Sequence, residues 1–307
     1  MPEPIRRSLK FPDREVSVLE WQADAPLLHF AHANGFNAET YRALLTPLQG
    51  RFRVAASDLR GHGFTTLPAV PGMQTGWRIF GVDLARIVDA LEPSRPVILA
   101  GHSMGAIASL MVAAARPERV AGLMLVEPVL VPPLARLTVR LLSLVGRGVP
   151  PNYDLAALAD KRRAIFPAYD MALSAYRGRG AFKTWPPEML RDYLNGGLVE
   201  TGNGTERALA CAPAWEAASY RNAPQGIALL ARRVRCPITL IHAERGTARP
   251  SQVALIGWLT RKARIVKVPG TTHFLPMERP DIVRDEIERM GRVAMESPSP
   301  PSGGEGV

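Results

Sequence analysis

The sequence has little of what several protein classes depend on. Two cysteines, Cys211 and Cys236, among 307 residues are too few for a disulfide-built scaffold and agree with a reducing compartment. No apolar run approaches the roughly 18 residues that a membrane-spanning helix needs. The opening stretch MPEPIRRSLKFPDREVSVLE lacks the apolar centre of a secretory leader. A cytoplasmic location is therefore expected. Lysine is scarce, with five lysines among 38 basic residues. The net charge of +10 comes without a dense basic run or an aromatic-interleaved patch, so no nucleic-acid partner is expected. Neither a dinucleotide fingerprint nor zinc-ligand spacing occurs, and no cofactor or metal is expected.

What is present is an ordinary globular composition, 47% hydrophobic and 21% charged, enough to bury a large core. Short apolar runs at 26–31, 52–57, 96–100 and 120–126 read as buried strands. Between them, 41–48, 79–91 and 104–115 carry helical spacing. The alternation resumes with a strand at 237–242, a helix near 251–259, a strand at 264–268 and a helix from Pro280 to about Val293. Strands alternating with helices predict an α/β fold, a mostly parallel sheet covered on both faces.

The middle of the chain breaks this rhythm. Residues 128–230 are rich in proline and glycine (VPP, GRGVPP, WPP, NGGL) and offer helices without a convincing buried strand. The expected organisation is a core of residues 1–127 and 231–292, a helical cap insertion at 128–230 and a disordered tail at 293–307, whose end is rich in proline, serine and glycine. Within the insertion, 134–145 sets leucines on one face and Arg136 and Arg140 on another. That pattern fits a helix packed over a pocket better than one lying on a membrane, so membrane contact is not expected.

One motif carries chemistry. Gly101-His102-Ser103-Met104-Gly105 directly follows a predicted strand and directly precedes a predicted helix, the context in which G-x-S-x-G has meaning. A serine on so sharp a turn projects its oxygen above the sheet, and the helix that follows aims free backbone N–H groups at an anion forming there. Ser103 is the expected nucleophile. Its general base has to come from a loop near it. His273, a Pro-Gly turn beyond the strand at 264–268, fits, and His242 is its rival. His29 reads as a core residue, and His62 and His102 as turn residues.

Beyond that motif, Asp58-Leu59-Arg60-Gly61-His62-Gly63, His32-Ala33-Asn34-Gly35-Phe36 and Thr272-His273-Phe274-Leu275-Pro276-Met277-Glu278-Arg279-Pro280 stand where the α/β-hydrolase superfamily carries similar segments. The sequence resembles that superfamily over nearly all of its length outside the insertion and tail. The resemblance implies a catalytic triad, a cap and an oxyanion hole formed by the backbone N–H groups of Met104 and of the 32–36 loop. The family pattern puts the second donor at Asn34. Because Ala33 replaces the usual first glycine, Phe36 stays open as an alternative.

The triad acid departs from the pattern. Relatives commonly carry an aspartate shortly after the strand at 237–242. Here that position is Gly246, with Glu244 two residues early. The other carboxylate in a suitable place is Glu127, at the end of the strand at 120–126. Haloalkane dehalogenases and zearalenone-opening fungal lactonases carry a catalytic glutamate there, so Glu127 is the expected acid and Glu244 the alternative. The expected function is a serine hydrolase cleaving a small-molecule carboxylic ester or lactone through an acyl-enzyme. A cofactor-free haloperoxidase or carbon–carbon hydrolase would use the same triad. A ligand-binding protein on this fold would leave Ser103 and His273 inert.

Overall fold

The computed structural model describes residues 3–12, 14–135, 137, 141, 144, 154–202, 204–260 and 263–296. Most of the expected helix at 134–145 and the tail from 297 lie outside them. The strands, in chain order, are β1 (Ile5–Lys10), β2 (Glu15–Trp21), β3 (Leu27–Ala31), β4 (Arg53–Ser57), β5 (Val97–His102), β6 (Val120–Val126), β7 (Ile165–Phe166), β8 (Leu198–Glu200), β9 (Arg207–Leu209), β10 (Ile238–Arg245) and β11 (Arg264–Thr272). Eight of them form one sheet in the order β1-β2-β4-β3-β5-β6-β10-β11. From β4 to β11 every pairing is parallel, whereas β2 pairs antiparallel with both β1 and β4. This is the α/β-hydrolase fold.

Parallel strands covered on both faces have to be apolar on both, which is why these segments read as continuous apolar runs. Alternate residues feed two cores. Leu27, Val97 and Leu99 face one, and Leu28, Phe30, Ile98 and Ala100 the other. Around the sheet lie α1 (Arg42–Leu45), α2 (Arg78–Leu91) and α3 (Met104–Ala115). The helix expected over 41–48 is broken into short turns, because Pro47 cannot donate an i→i−4 bond and the Thr46 hydroxyl bonds back to the Arg42 carbonyl.

The segment between β6 and β10 holds α4 (Leu155–Asp160), α5 (Tyr169–Tyr176), α6 (Pro187–Gly197) and α7 (Pro213–Arg221). Helices dominate it as expected, and a three-stranded antiparallel sheet, β7-β9-β8, accompanies them. After β10 come α8 (Pro250–Thr260), α9 (Leu275–Glu278) and α10 (Pro280–Glu296). The last of these corrects the tail boundary. Residues 293–296 are helical rather than disordered, since Val293, Ala294, Met295 and Glu296 continue a good helical sequence until Pro298 is near.

Candidate active site

The site sits at the C-terminal edge of the parallel strands, where β5, β6 and β11 give way to loops. Ser103 occupies the single residue between β5 and α3, with φ 55° and ψ −114°. Such a backbone costs a non-glycine residue about 1–3 kcal/mol and marks a position held by its surroundings. The hold comes from both sides. The Ser103 N–H donates to the Val126 carbonyl at 3.0 Å, and a Cβ on Gly105 would stand 2.1 Å from the Ala31 carbonyl oxygen. Only glycine there lets α3 seat directly against the end of β3. Ser103, Glu127 and Leu134 are the non-glycine residues with positive φ among those described, so two of the three are expected catalytic residues.

His273, just beyond β11, faces both. Its Nε2 lies 3.0 Å from Ser103 Oγ and its Nδ1 3.1 Å from Glu127 Oε2. Glu127 is fully buried. Its carboxylate accepts the Ala243 N–H at 2.6 Å and the Thr247 N–H at 2.9 Å. Burial pushes its pKa up, but the His273 hydrogen bond and charge and these two backbone donors together outweigh burial and hold it below the ordinary 4.5. Glu127 is therefore an anion fixed behind the imidazole.

Glu244 goes elsewhere. It is exposed, and its carboxylate accepts the Gly270 N–H. Gly246 explains the altered pattern, because a Cβ there would lie 2.2–2.4 Å from the Glu127 carboxylate atoms. The space that an aspartate side chain would enter at 246 is filled by Glu127. His242 bonds to its neighbour Ala243 rather than to Ser103, and His29 is buried in the core beside Ser57.

Met104 opens α3, so its N–H is one of the first-turn donors without a partner inside the helix. In the loop after β3, the Phe36 N–H is committed to the Ala33 carbonyl at 3.1 Å and the Gly35 N–H to His62 Nε2 at 3.0 Å. The Asn34 side chain donates to the Glu216 carbonyl, while its backbone N–H has no hydrogen bond among the described residues. Of the two donors left open by the sequence, Asn34 is the one free to serve.

Two features had no sequence signal. His102, a turn residue by sequence, spans three loops. Its Nε2–H donates to the His273 carbonyl at 2.8 Å, and its Nδ1 accepts from Tyr41 Oη at 2.7 Å, which in turn accepts the Ala33 N–H. Burial holds its pKa far below the usual range, so it stays neutral, as this pattern requires. The second feature is Thr247, whose hydroxyl lies 2.9 Å from His273 Nδ1.

The insertion meets this rim through aromatic rings and side-chain ties. Trp185 packs edge-on to Phe36 at 5.3 Å and against Phe274 at 5.8 Å, and Tyr193 meets Phe36 at 5.6 Å. Thr184 donates to Glu278, which also accepts from Thr272 beside the histidine. Asn37 donates to the Tyr193 carbonyl and Trp215 to the Arg60 carbonyl. Buried Glu216 and Tyr193 and half-buried Arg162 form a polar cluster behind the loop. Among the described residues, no group of three or more His, Cys, Asp or Glu could hold a metal ion, and no helix is long and apolar enough to cross a membrane.

Comparison with known proteins agrees with this fold. A family model described as the alpha/beta hydrolase family matches residues 30–286. The 2-(acetamidomethylene)succinate hydrolase of Mesorhizobium japonicum is 24% identical over 274 residues, 87% of this chain and 88% of that protein. A crystal structure of E-2-(acetamidomethylene)succinate hydrolase superposes with a TM-score of 0.74 at 23% identity, covering 94% of this chain and 99% of its own. Human monoglyceride lipase is 32% identical over a shorter stretch of 138 residues, 43% of this chain and 45% of the lipase.

Proposed function

The chain belongs to the alpha/beta hydrolase family, and from that premise we propose that it is a serine hydrolase cleaving a carboxylic ester or lactone through an acyl-enzyme. The observation that carries this reading is the continuous contact from Ser103 Oγ to His273 Nε2 at 3.0 Å and from His273 Nδ1 to Glu127 Oε2 at 3.1 Å. In it His273 takes the Ser103 proton as Ser103 Oγ attacks the carbonyl carbon. Glu127 keeps the remaining imidazole proton on Nδ1 and stabilises the imidazolium that forms. The N–H groups of Met104 and Asn34 receive the oxyanion. His273 then gives its proton to the leaving oxygen, and the carbonyl re-forms. A water attacks the acyl-enzyme, passes a proton to His273, and Ser103 Oγ leaves as the hydroxyl. With a lactone, the freed alcohol remains part of the acyl chain, and the second step releases a single hydroxy acid. The chemistry needs no cofactor.

Residues 128–230 act as the cap, with Trp185 and Phe36 walling the acyl site. The partner is a small molecule, with no nucleic acid or membrane involved, and the protein works in the cytoplasm. A fluorophosphonate probe tests the reading, since it forms a bond only to an activated serine. The wild-type protein should be labelled and Ser103→Ala should not, and a panel of p-nitrophenyl esters and lactones should be turned over only by the former. Equal labelling of both proteins would overturn the reading.

A further inference from the structure

Outside the three expected members, Thr247 is the residue with the most direct hold on the imidazole. Its side-chain oxygen stands 2.9 Å from His273 Nδ1, against 3.1 Å for Glu127 Oε2. The direction of the bond follows from the other nitrogen. Nε2 faces the Ser103 hydroxyl and has to accept its proton, so the neutral ring carries its hydrogen on Nδ1. Thr247 Oγ1 therefore accepts, and the single Nδ1–H is shared between a hydroxyl and a carboxylate.

Thr247 also touches the carboxylate. Its backbone N–H donates to Glu127 Oε2 at 2.9 Å, so one residue binds both partners of the ion pair. It stands on the open side of that pair. Glu127 has no exposed surface, the His273 side chain keeps 22% of its own, and Thr247 is exposed. Without the threonine side chain, water would reach Nδ1 from that side and compete for its proton. Two acceptors at Nδ1 also fix the plane of the ring, which a single bond leaves free to turn.

We propose that Thr247 is a positioning residue for His273, a second acceptor at Nδ1 that holds the imidazole toward Ser103 and screens its bond to Glu127 from water. The turn after β10 thus still orients the base, although its acid position is a glycine. This inference rests on the serine-hydrolase reading. Thr247 acts at Nδ1, on the side of the ring away from Ser103, so its effect falls on the rate of the chemical step rather than on binding.

The test uses the full chain, a fluorophosphonate probe and p-nitrophenyl acetate. Thr247→Val keeps the branched shape and the backbone N–H to Glu127 but removes the hydroxyl. It should slow labelling and kcat by about tenfold, the size of one ordinary hydrogen bond, with KM unchanged. Thr247→Ser should return both to within about twofold of wild type. In a Glu127→Gln background, where the hydroxyl is the better remaining acceptor, Thr247→Val should cost a larger factor than in wild type. The proposal is overturned if valine and serine behave alike, or if valine changes KM and not kcat. Absent labelling of the wild-type protein would instead overturn the serine-hydrolase reading and this inference with it. Normal labelling that valine leaves unaltered would remove this inference alone.

Discussion

The rim of the sheet and the insertion above it hold the site by different means. On the rim, Ser103, Glu127 and His273 ride on turns of a few residues that leave the ends of strands. Their backbones are fixed by the ladder, and in two cases driven to positive φ. In the insertion, the groups facing the site are large rings at the ends of side chains, held by packing and by single bonds such as Thr184 to Glu278. A strand end places an atom to a fraction of an ångström, which acid–base chemistry requires. A ring wall defines a volume, which is sufficient for selecting a substrate. Changes on the rim should accordingly act on kcat and changes in the insertion on KM and selectivity.

The largest effect should come from His273→Ala, which removes the proposed base. The expected loss in kcat is on the order of 10⁴–10⁶, as for other triad members, and His242→Ala should stay near wild type. If His242→Ala were the inactive variant, the base would lie in β10 instead.

Next is Glu127→Gln, expected to lower kcat by about 10⁴, with Glu244→Gln changing it by no more than a few-fold. The opposite ranking would return the acid to the later strand. The same substitution has a pH signature. The folded-state pKa of Glu127 is depressed below 4.5, so the stability due to its ionised form is fully present above that value and is lost as the pH falls through the lower folded value. The difference in Tm between wild type and Glu127→Gln should be constant above about pH 5.5 and should change only as the pH drops toward 4 and below.

A smaller and more specific effect tests whether the acid can change strands. Gly246→Asp in the wild-type protein forces two carboxylates into one space and should inactivate and destabilise it. Combining it with Glu127→Gly should recover a measurable part of the activity that Glu127→Gly alone loses. Failure of the double variant to exceed that single variant, with the fold intact by circular dichroism, would show that the β10 turn no longer points at the imidazole.

The smallest effect should be that of Trp185→Ala. It is expected to change kcat/KM for long or aromatic acyl esters by about tenfold, within the range of hydrophobic pocket contacts, and to leave an acetyl ester within about twofold. Equal losses on both esters would erase the division between rim and insertion.

Much of this was legible beforehand because parallel strands are continuously apolar and the nucleophile turn has a rigid sequence signature. The hairpin β1–β2 carries no such signature. β1 is largely exposed, and β2 buries Glu20 by pairing it with Arg7 and Arg53, so neither reads as an apolar run. The strands β7, β8 and β9 span two or three residues each, too few to show a period of two. In the site, Glu127 could be found because a glycine stood where an acid was expected. Thr247 and Tyr41 could not, since a hydroxyl acquires its role only from loops that meet in three dimensions. The choice between Asn34 and Phe36 likewise depended on a local turn, which takes up the Phe36 N–H.

The contact between Gly246 and Glu127 also limits how one such sequence can turn into another. The two acid positions share one small volume, so no single substitution moves the carboxylate from one strand to the other. A lineage or a design that makes the exchange passes through a form with two colliding acids or with none. Of the two, the form with none avoids the collision and, on the proposed mechanism, should retain some activity through the nucleophile and the oxyanion donors, which makes it the passable route. For other sequences of this architecture, a glycine at the later position beside a glutamate at the earlier one is then a joint signature, and neither residue can be interpreted without the other.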